Sequence, residues 1–182
     1  MIVNDFNVYK LSNIIRYSQL HKIKNETVAE HSFYVTWFVN RLCTKYDIHD
    51  NIRLMAIESA LLHDIPEVIT NDITYDVKQM IPDVSALLQP YEEEVISEHS
   101  LRAHKVLFNP ETDEELLAKK LVKHADVLSV LQYCHNEELL GNKNFTELRQ
   151  ATEERVSKTR EDLLAQLNKI QSKRRNSDAK EQ

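Results

Sequence analysis

Apolar residues recur with a helical period along almost the whole chain, and no stretch alternates convincingly with the period of two that a strand needs. The spacing predicts a first helix over Asn4–Gln19, with Val8, Leu11 and Ile15 on one face, and then a polar loop over His21–Glu26. Thr27 and Glu30 have the spacing of a capping box, so a second helix should begin there and run to about Tyr46, with His31, Val35, Phe38 and Leu42 in one stripe. A third helix is expected over Asn51–Asp64, its inward positions being Leu54, Ile57, Leu61 and Asp64, with Pro66 breaking or restarting it. Asn71–Pro82 reads as irregular connection. Pro90 suits the first turn of a further helix, whose dipole Glu92, Glu93 and Glu94 would complement. A long helix is expected over Thr112–Leu140 with Gly141 as its C-cap. A last helix over Phe145–Ile170 would turn Val156, Thr159, Leu163 and Leu167 to the core, and Trp37 and Phe38 are also expected there. The reading is one all-α domain, residues 1–172, with a polar, disordered tail over 173–182.

Composition sharpens this. One glycine and four prolines in 182 residues leave too few turn residues for an all-β domain, and no glycine cluster forms a P-loop or a dinucleotide fingerprint. The formal net charge of −6, with no basic stripe, argues against nucleic acid or an anionic membrane as partner. An anionic substrate would have to be held by a few local cations or a metal. Cys43 and Cys134 make no CxxC and no disulfide pattern. No apolar run reaches the roughly 18 residues of a membrane span, and the first residues lack a leader pattern, so a cytoplasmic location is expected.

Four positions join metal-ligand chemistry to an inward helical position: His31, the adjacent His63 and Asp64, and Asp126 between Val122 and Val130. A lone histidine on an apolar face is more often a satisfied core residue, and an isolated His-Asp pair arises by chance. Here the ordered set H…HD…D falls on three separate helices. Burying carboxylates on apolar faces is costly unless something compensates, and one divalent cation shared by two imidazoles and two carboxylates would compensate all four. The donor set leaves Mn, Co, Mg, Fe and Zn undistinguished.

This pattern resembles the HD-domain metal-dependent phosphohydrolases, and within them the small 5′-deoxynucleotidase branch. Arg16-Tyr17 precedes Glu30-His31-Ser32; Ala60-Leu61-Leu62-His63-Asp64-Ile65-Pro66-Glu67 follows, then Asn71-Asp72-Ile73 and Asp76-Val77-Lys78. Lys123-His124-Ala125-Asp126 and Gly141-Asn142-Lys143-Asn144-Phe145 complete it. The resemblance implies an HD-domain helical bundle with the metal site between helices, ligands His31, His63, Asp64 and Asp126, catalytic Glu67 and Asp72, and substrate contacts from Arg16, Tyr17 and Lys78. It implies hydrolysis of deoxyribonucleoside 5′-monophosphates and a homodimer, with which the apolar positions of the last helix are compatible. The physics agrees: Glu67 lies about one turn past Asp64, where a carboxylate could take a proton from an attacking water, and Arg16 and Lys78 supply positive charge that an acidic chain otherwise lacks. The alternative within the same fold is a phage-type deoxynucleoside triphosphate triphosphohydrolase, for which Lys22 and Lys24 are the candidate extra cations.

Three residues depart from that branch. Tyr17 stands where Trp is usual, a position associated with excluding the ribose 2′-hydroxyl, so softer deoxyribose selectivity is expected. Asn71 replaces Gly, and Asp76 replaces Pro. Glu98-His99-Ser100 repeats the earlier triplet without its downstream partners and reads as surface. His124 lies about 200° round the helix from Asp126 and is not expected on the same metal. His21, His49, His104 and His135 read as solvated.

Overall fold

The computed structural model describes residues 3–178, the side chains of Asp5, Tyr75, Asp76, Gln79, Pro82, Arg174 and residues 176–178 excepted. Nine α-helices are found among the described residues: α1 (Asp5–Val8), α2 (Val28–Lys45), α3 (Asp50–Leu62), α4 (Glu67–Thr70), α5 (Tyr75–Met80), α6 (Pro82–His99), α7 (Leu101–Leu107), α8 (Asp113–Leu139) and α9 (Thr146–Asp178). Short 3-10 turns at Tyr9–Ser12 and Lys143–Phe145 complete the order. No strand occurs among the described residues, only an isolated antiparallel bridge between Ile15 and Thr27. The fold is all-α, as expected, and among the described residues no helix is long and apolar enough to cross a membrane.

The main core lies between α2, α3, α8 and α9, around Val35, Val39, Leu121, Val122 and Leu163. Ala56 and Ala60 on α3 and Ala118 and Ala125 on α8 are fully buried, and their small side chains let these helices approach closely. A second cluster, including Val3, Leu11, Val28, Ile65, Val95 and Ile96, joins the start of the chain to α6. Thr27 and Glu30 form the expected capping box on α2, and Thr112 and Glu115 form another on α8. Cys43 and Cys134 are buried and unbridged.

Several elements differ from the sequence reading. The first helix stops after α1 and its 3-10 turn. Beyond it the Arg16 amide donates to the Glu26 carbonyl at 2.9 Å and the Val28 amide to that of Ile14 at 3.0 Å, so pairing with the chain ahead of α2 replaces helical bonds. Tyr17 has φ 54, which a helix does not admit. α5 occupies part of the stretch read as irregular. α6 starts at Pro82, not Pro90, which lies inside it. Proline is as well suited to either first turn, and the two are not distinguished by local pattern. α6 ends at Ser100, whose hydroxyl caps α7 by accepting from the Ala103 amide at 3.0 Å. Glu98-His99-Ser100 therefore straddles a helix junction, and His99 is half-buried with its Nδ1–H on the Val95 carbonyl at 2.8 Å. His104, likewise read as solvated, is half-buried beside Phe108, with Nε2 3.6 Å from Glu93.

The inward face of α3 is built from Ile52, Ala56, Ser59 and Ala60, while Leu54 and Leu61 are 53% and 58% exposed. Large side chains dominate a hydrophobicity pattern, whereas close helix packing selected the small ones. Trp37 is 53% exposed beside Phe33 and Tyr34, not in the core. Leu163, Leu167 and Ile170 of α9 are buried against α8, and no large apolar side chain of α9 is exposed among the described residues. α9 runs on to Asp178, past the fraying expected from Lys173, because Lys169 and Lys173 both reach the Asp113 carboxylate at the start of α8. Residues 179–182 lie outside the described residues.

Candidate active site and metal centre

The fold brings the start of α2, the end of α3 and the middle of α8 to one point. His31, in the first turns of α2, is 1% exposed, and its Nδ1 meets the Ser129 hydroxyl of α8 at 3.1 Å. His63 caps α3, and its Nδ1–H donates to the Ala60 carbonyl at 2.7 Å. Each contact turns the ring so that Nε2 faces the same space, the arrangement that orients imidazole ligands. His31 Nε2 lies 3.6 Å from Asp64 Oδ2 and 3.3 Å from Asp126 Oδ1, and His63 Nε2 lies 3.2 Å from Asp64 Oδ2. Both Nε2 atoms are buried without a hydrogen-bond partner. Ligand atoms of His31, His63 and Asp64 fall within 4.8 Å of one another.

The electrostatics favour ligation. Burial, helped by the Arg16 charge, pushes His31 down to about 4, so its imidazole is neutral at physiological pH. Burial would raise both carboxyls, but His63 chiefly holds Asp64, and Lys123 and His31 hold Asp126, below the usual range. His63 is raised, burial being outweighed by Asp64 and Asp126, so a cation would have to displace a proton there. Two orphaned buried nitrogens aimed at two ionised carboxylates fit a divalent cation, since a buried polar atom left without a partner is costly.

A cavity of about 510 Å³ opens beside this cluster. Arg16, Tyr17, His31, Asp64, Glu67, Asp72, Lys78 and Asp126 all line it, whereas His63 does not and meets it through Asp64. Glu67 opens α4, and its Oε2 is buried with no partner. Burial first, then Asp64 and Asp72, push its carboxyl up to about 10. Asp72 follows Asn71, which adopts φ 58, a left-handed conformation that asparagine tolerates. The Asp72 Oδ2 accepts from the Tyr17 amide at 3.1 Å. The Tyr17 ring stacks on Tyr133 (centroids 5.3 Å apart, 5° between planes) and meets Phe145 edge-on at 6.0 Å. Lys78 sits 4.0 Å from Glu92. The Asp76 side chain lies outside the described residues.

Sequence reasoning missed several residues here. Lys123 lines the cavity and donates to Asp126 Oδ2 at 3.0 Å; its position one turn before Asp126 on α8 was a usable signal. Asn144 lay in a matched segment without a role given to it, while Ser129, Glu26 and the far wall of Glu147, Leu148 and Arg155 carried no signal, because tertiary packing alone brings them in. His124 is buried on α8 with Nδ1 2.8 Å from Thr159 Oγ1 of α9, away from the cation cluster.

Comparison with known proteins places this geometry. The family model for YfbR-like 5′-deoxynucleotidases matches residues 6–169. The 5′-deoxynucleotidase YfbR of Escherichia coli is 30% identical over 149 residues, covering 75% of this chain and 73% of the relative. That of Salmonella typhi is 27% identical over 172 residues, covering 89% and 81%. Among solved structures, the cyanophage S-2L HD phosphohydrolase DatZ, bound to dA and one catalytic Zn²⁺, shares the fold with a TM-score of 0.69 at 18% identity over 95% of this chain and 99% of that one. A Pyrococcus horikoshii protein gives a TM-score of 0.67 at 25% identity, covering 93% and 99%. With a His/Asp cluster beside its cavity, the chain belongs to the YfbR-like 5′-deoxynucleotidase family of metal-dependent HD-domain phosphohydrolases.

Proposed function

We propose that this chain hydrolyses the 5′-phosphate of deoxyribonucleoside monophosphates, releasing deoxynucleoside and inorganic phosphate. One observation carries the reading: the two orphaned Nε2 atoms of His31 and His63 converge with Asp64 and Asp126 beside the cavity that Glu67, Arg16 and Lys78 line. His31, His63, Asp64 and Asp126 would hold one divalent cation, which when bound polarises a phosphoryl oxygen and raises the acidity of water near it. Arg16 and Lys78 take the phosphate oxygens by charge-assisted hydrogen bonds. The Glu67 carboxyl, which otherwise keeps its proton, would ionise with a cation held beside Asp64, and Glu67 then orients the attacking water or takes its proton. Asp72, tied through Oδ2 to the Tyr17 amide, keeps Oδ1 for orienting that water or for the departing sugar oxygen. Tyr17 flanks the sugar.

The triphosphohydrolase alternative needs more cations at the phosphates. Lys22 and Lys24, the residues expected to supply them, do not line the cavity, and the Lys22 Nζ is folded onto the Tyr17 carbonyl at 2.8 Å. Lys123 and Arg155 do line the cavity, but Lys123 is paired with Asp126, and Arg16 and Lys78 suffice for a single phosphate. The test is a panel of ribo- and deoxyribonucleoside mono- and triphosphates with Mn, Co or Mg, scored for inorganic phosphate against triphosphate. Phosphate from dNMPs is expected, and triphosphate release from dNTPs with inert dNMPs would select the alternative. Asp64→Ala should lose the cation by elemental analysis while circular dichroism keeps its helical signal.

A homodimer in the cytoplasm completes the proposal. The exposed Phe33, Tyr34 and Trp37 of α2 offer the apolar surface that a second copy would cover. Light scattering should find a dimer that Trp37→Glu dissociates.

A further inference from the structure

Arg16 is 8% exposed, yet it lines the cavity together with several carboxylates, Asp64, Glu67 and Asp72 among them. A guanidinium so placed has two destinations: the phosphate of a substrate, or the neighbouring acids. Something must keep it from the second, and Glu26 is built to do so. Residues 14–16 and 26–28 pair antiparallel, with Arg16 and Glu26 directly opposite, so their side chains stand side by side. Arg16 Nη1 donates to Glu26 Oε2 at 2.7 Å, and both side chains are shielded from water. The Arg16 amide also binds the Glu26 carbonyl, so the pair is locked through backbone and side chain together. Glu26 itself does not line the substrate cavity but a separate, smaller one of about 30 Å³.

We propose that Glu26 is a positioning residue for catalysis: from outside the substrate cavity it holds the Arg16 guanidinium in place, leaving the remaining N–H groups for a phosphate instead of the carboxylates of Asp64 and Asp72. The inference rests on the phosphate-binding role given to Arg16 above. Glu26 touches neither substrate nor cation and acts only through Arg16. Its loss frees the guanidinium to fold onto the acids, which weakens phosphate binding far more than it slows a bound substrate.

The test is a double-mutant cycle in the cation-loaded protein, reading KM, kcat and inhibition by inorganic phosphate. Glu26→Ala should raise KM and the phosphate inhibition constant ten- to a hundred-fold, the worth of a charge-assisted hydrogen bond to phosphate, with kcat changed less than tenfold. Glu26→Gln keeps an acceptor oxygen opposite Nη1 and should recover most of the loss. In an Arg16→Ala background, Glu26→Ala should change KM by less than twofold. An unchanged KM in Glu26→Ala, or a full further loss in the Arg16→Ala background, overturns the proposal; if Glu26→Ala does not fold, a KM for Glu26→Gln as high as that of Arg16→Ala overturns it. A wild-type chain that turns over no dNMP would instead overturn the reading on which it rests.

Discussion

At the scale of single residues, the site depends on groups held where they would rather not be. Tyr17 sits at φ 54, held by Asp72 on its amide and by Tyr133 and Phe145 against its ring. Burial keeps its phenol protonated, so it presents a neutral hydroxyl to whatever sugar lies beside it. An apolar wall rejects an added hydroxyl by about 10²-fold, and a tyrosine should reject the 2′-hydroxyl by less. Tyr17→Trp is therefore expected to raise the ratio of kcat/KM for dAMP over AMP. An unchanged ratio would mean that residue 17 does not read the sugar. Glu67 is the second case, a carboxyl buried without a partner for Oε2 next to two other acids. Glu67→Ala should keep cation content and KM while losing on the order of 10²–10⁴ in kcat, the usual worth of a placed acid or base. Near wild-type turnover would show that Glu67 takes no part in the proton transfer.

At the scale of elements, the end of α8 explains how a fifteen-residue irregular stretch (13–27) is held still. Glu137 is fully buried and accepts from the amides of Ile23 at 2.8 Å and Lys24 at 2.7 Å and from Asn142 Nδ2 at 2.6 Å. Asn142 also donates to the His21 carbonyl at 2.9 Å, and the Tyr133 hydroxyl to that of Lys24 at 2.6 Å. Asn142 reaches this position because α8 ends in a Schellman turn, with the Gly141 amide on the Glu138 carbonyl at 2.8 Å and that of Asn142 on Glu137 at 2.9 Å. Gly141 has φ 94, and an added Cβ would meet nothing within 4 Å. Gly141→Ala should still cost about 1 kcal/mol by chemical denaturation, because the penalty is conformational, not steric crowding. It should also speed amide exchange at Ile23 and Lys24. A neutral effect on both would show that the turn adopts another conformation at no cost.

At the scale of the whole molecule, α8 is the spine: it carries Asp126 and Ser129 to the cation cluster on one side and His124 to α9 on the other. Burial, with Arg160 and Lys45, pushes His124 down to about 4, against about 6.5 for an unfolded histidine. Between those values the folded chain binds fewer protons than the unfolded one, so the contribution is complete above about pH 6.5 and is lost as pH falls toward 4. His124→Gln should shrink the drop in unfolding free energy between pH 7 and pH 5 by about 1 to 2 kcal/mol. An equal drop in both proteins would place the acid sensitivity elsewhere. The cation would join α2, α3 and α8, so its removal by a chelator should lower Tm, and added metal should restore it.

Much of this was legible in the sequence. Helical periodicity, the scarcity of glycine and the capping box at Thr27 and Glu30 specify an all-α chain, because these are local properties of a few adjacent residues. The order of His31, His63, Asp64 and Asp126 pointed to a cation, since few other arrangements make buried carboxylates tolerable. The inward stripe used for Asp64 was nevertheless misplaced, as Leu54 and Leu61 face solvent and alanines face the core. The pairing of Arg16 with Glu26, the turn at Tyr17, the exposure of Trp37 and the clasp of Glu137 were decided only by the tertiary structure. Each joins groups far apart in sequence or outside one helical period. Their energy comes from desolvation and hydrogen bonding between segments, and no local pattern records it.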